Sequence, residues 1–198
     1  MENPAKSYQA GLSMIEVLIS LLILVLGLLG MIGLQARAQI ATFESYQRGQ
    51  ALIVAQDIAD RLLINRTAAG CYALTTDTTN GTPYLGTGYT GTPACASAAG
   101  TATMQTRAAA DLTAWNNALN GASENLGGAQ VGGLLGARGC ISFNAVTGRY
   151  RIAVAWQGMA PTVAPTAADA AATCGSNLYG TETQRREVNI TLMIASLT

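Results

Sequence analysis

The sequence predicts an α+β fold: a long N-terminal helix laid against a small antiparallel sheet, with loops fastened by disulfides. Three observations predict it. No proline occurs between Pro4 and Pro83, and there an uncharged apolar run, Val17 to Leu34, gives way to apolar residues at three- and four-residue steps. Two later segments, 140–156 and 187–194, alternate apolar and polar positions at the period of half-buried strands. Four cysteines, Cys71, Cys95, Cys140 and Cys174, are spread among the predicted loops and strands with no C-x-x-C pair.

Taken in order, residues 1–11 form a leader too short and too polar to fold, and Lys6 supplies the positive flank expected on the cytoplasmic side. Residues 12–34 form a transmembrane half-helix. Val17 to Leu34 would cover roughly 27 Å at about 1.5 Å per residue, close to the roughly 30 Å hydrocarbon core of a bilayer. A secretory signal peptide fits less well, because its apolar region is about 7 to 15 residues long and ends at a small-residue cut, whereas this run leads into Gln35-Ala36-Arg37. Residues 35–66 are the amphipathic continuation, with Ile40, Phe43, Ala51, Val54, Ile58 and Leu62 on one face and Glu44–Arg48 and Asp57–Arg61 spaced to pair at i, i+4. A helix from Leu12 to about Arg66 is roughly 80 Å long. Gly27, Gly30 and Gly33 are its soft points, each costing about 1 kcal/mol relative to alanine. They sit inside an apolar span, so they are no nucleotide fingerprint.

Residues 67–198 are the globular head. The Thr/Gly/Ala-rich stretch 67–102 reads as loop, in which Asp77 to Asn80 is a solvated turn with too few carboxylates for calcium. From Thr103 to Asn120 a helical period returns, with Ala108, Leu112, Trp115 and Leu119 on one face, Trp115 as core anchor and Gly121 as C-terminal cap. The Gly-rich piece 127–139 is ambiguous, an edge strand from Val131 to Leu135 being one reading. Cys140 to Phe143 and Tyr150 to Trp156 then form a hairpin about a turn at 144–148. Residues 158–184 are a long loop carrying Cys174, and Glu187 to Ile194 is the last strand.

Composition excludes several functions. Eleven basic and 11 acidic residues give no net charge and no clustered basic face, so no nucleic-acid partner is expected. Histidine is absent, which removes the commonest general base and the commonest metal ligand together. The expectation is therefore no catalysis, no metal and no cofactor. Only 11% of residues are charged, against about 25% in an ordinary soluble domain, which suits a surface covered by neighbours. An even cysteine count behind a membrane anchor favours two disulfides. Of the three possible connectivities, the sequential one, Cys71 with Cys95 and Cys140 with Cys174, is the expectation.

The junction Gly11 / Leu12-Ser13-x-x-Glu16, behind a short polar leader and ahead of an uninterrupted apolar helix, resembles the class III signal of type IV prepilins. Gly33-Leu34-Gln35-Ala36-Arg37-Ala38, Asp57 to Leu62 with Asn65-Arg66, Asp111-Leu112-x-x-Trp115, Gly139-Cys140-Ile141, Val154 to Gly158 and Arg185-Arg186 extend the similarity to minor pilins of the PilV type. The resemblance implies a type IV pilin-like fold and cleavage by a prepilin peptidase between Gly11 and Leu12. It implies N-methylation of Leu12 as well, although the family usually carries Phe there. The implied partners are that peptidase, other minor pilins and the major pilin, the inner-membrane pilus assembly platform and membrane lipid. The implied course is single-pass insertion in the inner membrane with the head in the periplasm, then incorporation into an extracellular pilus that supports adhesion and twitching motility. Under this resemblance the three glycines are either close-packing points in lipid or a segment that extends when subunits pack. Glu16 becomes an assembly-register residue, because pairing it with the Leu12 amine of an adjacent subunit neutralises two charges that would each cost several kcal/mol to bury alone. A minor pseudopilin of a type II secretion system shares the junction and the helix; a membrane-anchored surface adhesin is the alternative of a different class.

Overall fold

A computed structural model describes residues 13–122, 125–127, 129–130, 132–165 and 173–194. The chain divides into two units, one ending at Thr42 and one beginning at Phe43. Helix α1, Met14–Ile64, runs through both without a break. In the first unit every large apolar side chain from Met14 to Leu34 is open, Val25 least so at 43%. Nothing lies within 4 Å of where a Cβ would stand on Gly27, Gly30 or Gly33.

The second unit has its own core. From Gln47 onward α1 buries Ala51, Ala55, Ile58, Ala59 and Leu62, the three- and four-residue spacing read from the sequence. Phe43 was expected on this face but is 47% exposed, so packing begins one turn later. A short 3-10 turn, Arg66–Cys71, ends the helix region. Within the stretch expected to be loop, a two-residue strand β1, Leu85–Gly86, joins the sheet; it is too short to show a period.

Helix α2, Ala102–Leu119, is capped by the Thr101 side chain, which accepts from Met104 N, and buries Ala108, Leu112, Trp115 and Leu119. Gly121 follows its end at φ +77°, the left-handed cap conformation that glycine adopts without strain. The edge strand expected from Val131 to Leu135 does not form over residues 132–135, which bend at 132–133 and turn at 135 without strand pairing, and Val131 lies outside the described residues. A two-residue hairpin precedes it instead, β2 (Asn125–Leu126) against β3 (Ala129–Gln130). Four glycines within 127–133 leave little side-chain surface for a longer ladder to bury.

The main sheet is antiparallel in the order β1, β4 (Arg138–Asn144), β5 (Arg149–Gln157), β6 (Arg185–Met193). Ile141 faces Ile152 and Ile152 faces Ile190, which puts the branched residues on one line through the core. Both disulfides take the sequential pairing, Cys71–Cys95 and Cys140–Cys174. The first closes the loop after α1; the second ties the 158–184 loop to β4.

Candidate functional site

Three joints hold α1, α2 and the sheet together, and segments that carry the pilin resemblance build each of them. Arg61 donates through Nε to Asp57 Oδ2 at 2.9 Å, the expected i, i+4 pair, and through Nη1 to Asp111 Oδ1 of α2 at 3.1 Å. Asp111 also accepts from the Tyr72 hydroxyl at 2.6 Å, and Asn65 Nδ2 donates to Met104 O at 2.8 Å. Burial, followed by the hydrogen bond to the Asp111 carboxylate, pushes the Tyr72 phenol well above its ordinary value. The sequence gives the Asp57–Arg61 spacing and singles out Asn65, but not Tyr72, nor the bonds from Asn65 to Met104 and from Tyr72 to Asp111, each of which spans 39 residues.

Trp115 is fully buried, and its Nε1 donates to Val54 O of α1 at 2.9 Å. The ring rests on Gly139 of β4, where any Cβ would collide with the indole and would come within 2.7 Å of Leu119 Cδ1. A glycine in mid-strand is unfavourable by itself; here it makes room for the anchor.

At the third joint Arg186 Nη2 donates to Glu44 Oε1 at 3.0 Å and to Ala160 O, joining β6 to α1. Glu44 therefore pairs with Arg186 rather than with the predicted Arg48. The long-range partner approaches on the packed side of the helix, where both side chains are mostly screened from water. Beside it Arg185 is buried between Glu182 (2.7 Å) and Glu187 (2.6 Å) and donates to Cys174 O. Burial pushes the Glu187 carboxyl up to about 7 despite Arg185, and its Oε1 has no hydrogen-bond partner. Glu182 sits below the ordinary range: burial opposes this, but the bonds from Arg185 and Asn177 N outweigh it.

The other sequence-predicted site lies in the first unit. Gly11 and Leu12 fall outside the described residues. Glu16 occupies the first turn of α1, where the Ser20 hydroxyl donates to its carbonyl at 2.7 Å. Residues 14–64 form a helix long and apolar enough to cross a membrane, and its most apolar window has no buried residue.

A head locked by packing and disulfides, continuing a helix of membrane-spanning length whose large apolar side chains from Met14 to Leu34 are all exposed, defines an α+β protein of the pilin-like class. A family model described as Tt1218-like, type IV pilin Tt1218, matches residues 33–113, somewhat under half of the chain. That stretch is similar to type IV pilins and runs from the end of the apolar segment through the amphipathic half-helix into α2 as far as Thr113. Comparisons with curated proteins and with solved structures returned no significant match.

Proposed function

We propose that the chain is a minor pilin of a type IV pilus, of the PilV type, which primes assembly or is incorporated into the filament. One observation carries the reading. The apolar side chains of α1 from Met14 to Leu34 are all exposed, while the same helix is buried on one face from Gln47 onward. An uncovered apolar surface of this length is stable only in lipid or against other apolar helices. A type IV pilin meets both environments in turn, and the similarity of residues 33–113 to that family supports the choice.

Maturation follows from the same reading. Prepilin peptidase would cut between Gly11 and Leu12, the new Leu12 amine would be methylated, and Glu16 would set axial register by meeting that amine on the adjacent subunit. The assembly platform and the other pilins, minor and major, are the partners this requires. Glu16→Ala tests it: the variant should insert and be cleaved normally, yet be missing from sheared pili on immunoblotting. Incorporation at the wild-type level would refute the register role.

A further inference from the structure

β6 stands last in the order β1, β4, β5, β6, so only one of its sides is paired. The direction of its main-chain groups follows from the alternation of an antiparallel ladder. Thr75 bonds both main-chain groups of Ile141, accepting from its N–H through Oγ1 at 3.1 Å and donating its own N–H to its C=O at 2.8 Å. Ile141 therefore turns these groups away from β5, and its partner Ile152 turns its own toward β6. Counting on by twos, Val188, Ile190 and Leu192 bond β5, while Asn189, Thr191 and Met193 point their N–H and C=O away from the sheet. Two loop bonds agree with this count: Gly158 N reaches Gln184 O on the paired side, and Thr162 N reaches Thr183 O on the open side. Among the described residues nothing bonds the outward main-chain groups of Asn189, Thr191 and Met193, and all three residues are exposed.

Open edges of natural sheets carry charges, proline, bulges or very short strands that keep other chains off. From Val188 on, this edge carries none of them. β6 pairs with β5 over nine consecutive residues without a bulge, and Val188-Asn189-Ile190-Thr191-Leu192-Met193 contains neither a charge nor a proline.

The row of outward groups also defines what fits it. N–H and C=O groups that recur every second residue, about 7 Å apart, are matched in full only by another extended backbone. Ile190 and Leu192, partly buried against the core, flank the row on one face of the sheet; Asn189, Thr191 and Met193 flank it on the other. The occupant is thus a strand with apolar side chains toward Ile190 and uncharged ones toward Asn189. We propose that β6 accepts such a strand from a different subunit of the fibre, so that the sheet continues across the contact between two heads. The proposal rests on the filament reading above: a minor subunit is outnumbered by other pilins, which makes them, rather than a second copy, the source of the strand.

Thr191→Pro is the test variant, because its N–H points outward and proline there removes a donor from the open edge but none from the β5 ladder. Thr191→Lys, which places a charge on the same edge, is the second variant and decides by itself where the proline variant does not accumulate. Val146→Lys on the β4–β5 turn, 95% exposed, is the control. All are made in the full-length chain in piliated cells. Both Thr191 variants should lower the chain's content in sheared fibres about tenfold, with its amount in the membrane and its resistance to trypsin at the wild-type level, and Val146→Lys should leave the content unchanged. A photo-reactive benzoylphenylalanine at Met193, 67% exposed, should cross-link in fibres to an alternating apolar and polar segment of a different pilin. Wild-type fibre content for Thr191→Lys, an equal loss for Val146→Lys, or a cross-link to a second copy or to nothing overturns the strand contact and leaves the filament reading standing. Absence of the chain from the fibres of unmodified cells overturns both.

Discussion

Glu187→Gln should remove most of the pH dependence of the head's stability between pH 5 and 8. Glu187 lies at the start of β6 with its side chain 2% exposed, one oxygen held by Arg185 at 2.6 Å and the other without a donor. Arg185 divides its charge between Glu187 and Glu182. Its attraction therefore falls short of the desolvation, and the carboxyl titrates at about 7 instead of its usual 4.5. Over that window the folded chain keeps a proton that the unfolded chain has released, so stability falls as pH rises. At 1.36 kcal/mol per pH unit, the loss between pH 5 and 8 is on the order of a few kcal/mol. The carboxylates shifted the other way, Asp77 and Glu182, titrate below this window and add no slope there. Urea unfolding of the full-length protein in detergent, followed by near-UV circular dichroism at pH 5 and 8, measures the difference. The wild type should be more stable at pH 5, and Glu187→Gln should be nearly level. A wild type already level, or a variant with the same slope, would show that Arg185 keeps Glu187 ionised and that burial does not control it.

Trp115→Ala should destabilise the head by about 3–5 kcal/mol in the same assay, because a fully buried indole and its bond to Val54 O are lost together. Gly139→Ala should cost about 1–3 kcal/mol, since the new methyl meets the Trp115 ring and Leu119; no loss would mean that the indole can shift. Replacing Cys140 and Cys174 together by alanine should cost about 2–5 kcal/mol and make the 158–184 loop more sensitive to limited proteolysis. Gly11→Ala should leave the precursor uncut, whereas wild-type protein should begin at Leu12 on N-terminal sequencing.

The sequence alone determined the features that rest on local periodicity and composition. The helix from Met14 to Ile64, α2 with Trp115 inward, the β4–β5 hairpin, β6 and two oxidised cysteine pairs were all legible, because apolar spacing reports the buried face of an element wherever one exists. The apolar run and Glu16 were equally plain, since length and charge suffice to read them. Tertiary structure decided the rest. Glu44 left its helical neighbour for Arg186, 142 residues away, because sequence spacing gives the local option and says nothing of a closer distant cation. Tyr72 and Asn65 became a joint only once α2 folded back along α1. Two-residue strands such as β1 carry no period to detect, and Gly132 and Gly133 leave half of the 132–135 segment without side chains to bury in a ladder.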